Sequence, residues 1–146
     1  MKYLDLDRIW SYIIASVIGF FEPINTLILW VLIFILVDMI TGIWASITEG
    51  KFITSHGLQK TVIKFLMYST AVILLQGIDV YMLTFLECYL AKIGCTLICG
   101  IELYSVFENC YRITDNDVFR VLTTFTLKKI EDSTGVRINE RKTRHK

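Results

Sequence analysis

At 146 residues, with 54% hydrophobic side chains, one proline and a mean hydropathy of +0.55, the chain is too apolar to cover a soluble domain of its size with polar surface. The formal net charge of +1 is uninformative as a sum, but from Glu108 onward nine Lys/Arg stand against six Asp/Glu. The tail "NERKTRHK" lacks interleaved aromatics and any groove-reading motif, so no specific nucleic acid is expected and a solvated, headgroup-facing tail fits better.

Charged residues gather at the N-terminus, in 49–64 and after Glu108, leaving long apolar runs between them. Residues 9–21, "IWSYIIASVIGFF", have the length of a signal h-region. Asp5 and Asp7 spoil a basic flank, and Phe20-Phe21-Glu22-Pro23 offers no small-residue cleavage site, so the segment is expected to be retained. Trp10, Ile13, Ile14, Val17, Ile18 and Phe21 share one helical face. This predicts an interfacial amphipathic helix within 1–22, ended near Glu22-Pro23; a short extra span is the alternative.

The transmembrane region, 23–110, contains three predicted spans, at about 26–47, 62–86 and 89–107, each near the ~20 apolar residues that cross a hydrocarbon core. Gly50 and Gly57 are expected to break the first connector, with Ser55 capping the next helix. Lys51, Lys60 and Lys64 read as basic residues at the membrane surface, which puts this connector and the C-terminal tail in the cytoplasm and the N-terminus outside. The region 111–146 reads as a short cytoplasmic helix and basic tail. Thr114 with Asp117 gives a capping-box-like start, Val118, Val121, Leu122 and Phe125 an apolar stripe, and Gly135 a stop. The expected fold is all-α and integral to the membrane: three transmembrane helices, preceded by an interfacial helix and followed by a cytoplasmic one.

The residues out of place in this scheme are the acids. Asp38 lies in the first span, Asp79 in the second with Gln76 before it, and Glu102 in the third, with no Lys or Arg in the central parts of the spans to pair with them. An ionisable group at a helix centre costs about 2.5–3.5 kcal/mol on insertion scales. Neutral, hydrogen-bonded glue between helices would explain any one of them, for example through Thr41, Gln76 or Ser69. Three acids together favour a polar lining, with Asp38, Thr41, Gln76, Asp79 and Glu102 as pore or helix-interface candidates. Gly42, Gly94, Cys95, Cys99 and Gly100 are small residues suited to close helix packing. Three helices cannot enclose a wide aqueous path, so a polar lining requires a homo-oligomer.

Catalytic motifs are lacking. No phosphate loop, GxSxG or HExxH occurs, and Cys95 and Cys99 on one face have no further ligand, so no catalytic site, metal or cofactor is expected. A proton-coupled transporter would need an inverted repeat, which is not visible.

The stretch "VDMITGIWASITEGKFITSHGLQKTVIKFLMY" resembles the toxin-secretion/phage-lysis holin family in its Asp38-x-x-Thr41-Gly42 element, its Lys/Gly-containing connector, Ser55-x-Gly57-Leu58 and Lys64. "IELYSVFENCYRITDND" resembles the end of the last span in such holins. The likeness covers about 25–120. It implies a multi-pass protein of the bacterial cytoplasmic membrane that contacts lipid, self-assembles and breaches the membrane. A cell-wall hydrolase is then released or activated, or a toxin exported. An alternative reading is a ligand- or partner-gated pore of a defence or toxin system, its tail helix a sensor; a third is a subunit that only anchors a larger complex. Gene neighbourhood separates the first two, and liposome leakage separates both from the third.

Overall fold

The structure is a computed structural model that describes residues 6–51, 55–82 and 89–137. Among the described residues five helices follow one another: α1 (Leu6–Phe21), α2 (Asn25–Thr48), α3 (Ser55–Tyr81), α4 (Leu90–Thr114) and α5 (Asp117–Thr134), with a 3-10 turn at Glu22–Ile24 between α1 and α2. Among the described residues there is no strand. The basic tail, Cys88, His145 and the end of the second expected span at 83–86 lie outside the described residues, as do the side chains of Ser55 and His56.

Backbone chemistry explains the boundaries. Pro23 sits inside the 3-10 turn and interrupts the α-helical path without ending it, so Arg8–Thr48 is one apolar helical stretch. Gly50 takes φ +67° and Lys51 N–H donates to Ser46 O, a left-handed cap that closes α2. Gly57, expected to break the connector, instead lies in the first turn of α3. The third span, α4, runs on to Thr114, seven residues past the expected end, because Asn109 and Arg112 bond to Asp38 and Glu49 at the far end of α2. Asp115 then adopts φ 50°, a conformation Asp tolerates better than most residues, and turns the chain. The expected Thr114 cap is corrected: Thr114 belongs to α4 and donates to Cys110 O, while Asn116 caps α5 by accepting from Val118 N–H. Gly135, also left-handed, ends α5.

Among the described residues three helical stretches, Arg8–Thr48, Gly57–Tyr81 and Leu90–Thr114, are long and apolar enough to cross a membrane. At 1.5 Å per residue α2, α3 and α4 measure about 36 to 40 Å, against about 30 Å of hydrocarbon. Their outward surface fits that solvent: Leu29, Trp30, Leu36, Ile40, Trp44, Leu66, Met67 and Leu74 are all exposed. The exposed α1 residues Trp10, Ile13, Ile14, Val17 and Ile18 extend it.

Helix α4 is the hub, packing against α2, α3 and α5. α2 and α4 run in the same direction, since Ile24 and Val31 share a cluster with Ala91 and Cys95, while further along Glu49 meets Arg112. α3 runs opposite to both. Ile24, Val31, Ile35, Val72, Ala91, Cys95 and Ile98 form a dry core in one half of this bundle. The α4–α5 turn sends α5 back along α4, where Ile130 lies over Gly100. Of the apolar residues on α5, Val118, Val121 and Phe125 are exposed and Ile130 is buried. Gly100 leaves the room in which Ile130 packs on α4.

Candidate functional site

The other half of the bundle, next to the α2–α3 connector, holds a continuous run of polar side chains. It begins at Glu102 on α4, whose side chain is 0% exposed. Tyr68 Oη donates to Glu102 Oε1 at 2.7 Å, and Lys64 Nζ reaches Glu102 Oε2 at 3.0 Å. The same Lys64 ammonium reaches Asp38 Oδ2 at 2.7 Å. Asp38 Oδ1 accepts from Asn109 Nδ2 at 3.0 Å, and that amide also donates to Thr41 Oγ1 at 3.2 Å. Asn109 Oδ1 accepts from Arg112 at 3.2 Å. Arg112 then grips Glu49 through two bonds, Nε to Oε1 at 2.7 Å and a second guanidinium nitrogen to Oε2 at 2.9 Å, and Lys51 pairs with the same carboxylate.

Helical spacing builds this run. Asp38, Thr41, Ala45 and Glu49 follow one face of α2, Glu102, Ser105, Asn109 and Arg112 one face of α4, and Lys64 and Tyr68 are one turn apart on α3. Gly42 lets Asn109 approach: a Cβ there would meet Asn109 Nδ2 at 3.4 Å. Among the described residues no buried side-chain nitrogen or oxygen lacks a partner, so the network is satisfied. One ammonium between two carboxylates leaves a formal charge of −1. Removing the shared ammonium from such a buried set typically costs about 3–5 kcal/mol, because both carboxylates are then stranded.

Two sequence expectations are corrected here. Asp38 and Glu102 do have a cation: Lys64, expected as a basic residue at the membrane surface, carries its ammonium on a long stem inward to both acids. The three acids do not share one lining. Asp79 lies near the end of α3 and accepts from Leu90 N–H at 3.0 Å and Ala91 N–H at 2.8 Å, holding the positive start of α4. Gln76, 2% exposed, donates to Phe20 O at 2.8 Å and ties the end of α1 to α3. The remaining lysines lie nearer the connector: Lys51 on Glu49, and Lys60 along a cleft with Asp38, Ser46, Ser105 and Arg112.

The small residues work inside the chain. A Cβ on Gly94 would collide with Leu75 of α3, and one on Gly100 would press on Ile130 of α5 at 3.2 Å. Cys95 is fully buried in the dry core and Cys99 packs against it; both are free thiols. Among the described residues no group of three His, Cys, Asp or Glu side chains is arranged to hold a metal.

Outside the spans, Arg112 and, secondarily, Lys51 hold the Glu49 carboxyl down at about 2. Sequence reasoning passed over Tyr68, Asn109, Arg112 and Glu49. The signal lay in the spacing of polar residues along α2 and α4, which continues the faces of Asp38, Thr41 and Glu102 to Glu49, Asn109 and Arg112.

An apolar exterior enclosing a satisfied ionic network defines a helical multi-pass membrane protein with a polar interior at one end. The bacteriophage holin family model matches residues 14–128, most of the chain, and the chain belongs to that family. The match runs from α1 into α5 and includes every member of the polar run. No curated protein and no solved structure matches the chain. Family and spans together describe a holin-like multi-pass protein of the inner membrane, from a family that is not one of enzymes.

Proposed function

We propose that the protein accumulates in the cytoplasmic membrane, self-associates and permeabilises it, so that a cell-wall hydrolase is released or activated, or a toxin exported. The observation that carries this reading is the Asp38–Lys64–Glu102 cluster inside a bundle whose outside is apolar. A structural anchor has no need of charges within its span, and their desolvation works against folding. A scarce subunit keeps them satisfied internally. A crowded one exchanges self-contacts for contacts with other copies and turns Asp38 and Glu102 to water, recovering hydration.

The basic connector and tail orient the chain with the N-terminus outside and the C-terminus in the cytoplasm. The test is leakage of size-graded dyes from liposomes as the protein-to-lipid ratio rises. Release that steepens with density, without added ligand, is expected. Tight liposomes at every density contradict the reading, and leakage only after a ligand or partner is added points to a gated pore instead. Reporter fusions at Glu87 and Lys146 are expected to fall on opposite sides.

A further inference from the structure

The polar half is hollow as well as charged. A cleft of about 390 Å³ lies between α2, α3 and α4, bordered by Asp38, Ser46, Lys60, Lys64, Ser105 and Arg112. That is room for on the order of ten waters. An acyl chain there would leave ammonium, guanidinium and carboxylate groups facing hydrocarbon, a far costlier filling than water.

Exposure falls along the charged cluster. The side chain of Lys64 is 32% exposed and that of Asp38 16%, whereas Glu102 is 0%. Beyond Glu102 stand Ile98, Ile35, Val72 and Cys95, all buried and apolar. From Ile35 back to Ile24 this dry layer is about 16 Å deep at 1.5 Å per residue.

We infer that each chain, before any assembly, carries a one-sided vestibule for water and small hydrated ions. It opens at the helix ends bearing Ser46, Gly57 and Arg112, and the Lys64–Glu102 contact closes it. Only the use made of the vestibule rests on the permeabilisation reading; its existence does not. Tyr68 and Lys64 together hold the buried Glu102 carboxylate behind Lys64, which borders the cleft. When the ion pair is lost, the carboxyl takes up water in its place, and hydration advances one layer toward Ile98.

Site-directed thiol labelling tests this. In the full chain with Cys88, Cys95, Cys99 and Cys110 changed to Ala, single cysteines are placed at Ser105, beside the cleft, and at Ile98, below it. A membrane-impermeant cationic thiol reagent is applied to one side at a time of sealed vesicles holding a trapped dye at low protein density. Helical content in detergent checks that each variant folds.

Ser105→Cys is expected to react from one side only and about tenfold or more faster than Ile98→Cys, which is reached only through local opening. Adding Glu102→Gln, which keeps an acceptor for Tyr68 and removes the ion pair, is expected to bring the Ile98→Cys rate to within a few fold of Ser105→Cys. A protected Ser105→Cys, or one equally reactive from both sides, overturns the vestibule. An Ile98→Cys rate indifferent to Glu102→Gln overturns its closed end. Labelling at Ser105→Cys with no dye release at any density sinks the permeabilisation reading and leaves the vestibule standing. Leakage with a protected Ser105→Cys does the reverse.

Discussion

The two halves of the bundle use opposite means to hold the same three helices. From Ile24 to Ile35 the contact is dry, made of Val31, Val72, Ala91, Cys95 and Ile98. From Asp38 to Glu49 it is ionic, passing through Lys64, Glu102, Asn109 and Arg112. In lipid the dry half gains nothing from excluding water, since the acyl chains outside are equally apolar, and it holds by packing on α4, although an apolar cleft of about 380 Å³ lies between α2 and α3 beside Ile35 and Val72. The ionic half holds by directional bonds whose members are costly to separate and equally costly to leave unpaired. A packed half degrades in proportion to the volume removed. An ionic half has two good states, fully paired inside or fully hydrated, and poor ones between. That makes the half near the connector the one suited to rearrangement, and the dry half the one suited to keeping the helices together.

The largest expected effect breaks this contrast at its centre. Lys64→Met strands Asp38 and Glu102 and is expected to cost about 3–5 kcal/mol, read as helix loss on titration with a denaturing detergent. Combining it with Asp38→Asn and Glu102→Gln removes the stranded charges and is expected to recover most of that loss. If the triple variant is as unstable as the single, the charges are not what Lys64 serves. In the dry half, Ile35→Ala is expected to cost about 2–4 kcal/mol through lost packing. It leaves Lys64 on both acids, so Ser105→Cys labelling in that background stays as in the parent.

Gly100→Leu adds bulk under Ile130. Overpacking of this kind costs about 1–3 kcal/mol; here it is expected to lift α5 from α4, seen as faster proteolysis within Asp117–Thr134 while the spans remain helical. The smallest effect is at the exposed end of the polar run. Glu49 is held at about 2, against an ordinary 4.5. A depressed folded value means that its contribution is fully present above about pH 4.5 and is lost as pH falls through about 2. The pair is largely exposed, so that contribution is below about 1 kcal/mol. Arg112→Gln removes the first cause, and an NMR titration of Glu49 in micelles is expected to move back toward 4.5. An unmoved titration would detach Arg112 from Glu49.

The all-α membrane architecture was legible because hydropathy and length leave few alternatives to helices in lipid. The site was legible only in part. Asp38 and Glu102 stood out as acids in apolar runs, and Thr41 and Gly42 lie against Asn109. Lys64 was misplaced because a lysine near the start of a helix looks like a surface anchor. Its partners depend on how far α3 slides against α2 and α4, a register no single helix encodes. Asp79 was grouped with the other acids of the spans because the second span was expected to run to residue 86; α3 ends at Tyr81, and the carboxylate meets the start of α4. Arg112 and Glu49 were passed over because each lies at a helix end, where charges are ordinary until a partner from another helix arrives.

The central claim is that the ionic half is the half that permeabilises. Asp38 and Ile35 are neighbours on the same face of α2, one on each side of the boundary. Asp38→Leu still leaves Lys64 paired with Glu102 and removes an insertion cost of about 3 kcal/mol, so the variant should reach the membrane at least as well as the parent. The decisive measurement is dye leakage from liposomes holding Asp38→Leu or Ile35→Ala at matched amounts of inserted protein. The expected result is that Asp38→Leu abolishes leakage while Ile35→Ala retains it. Leakage by Asp38→Leu equal to that of the unmodified protein would contradict the account.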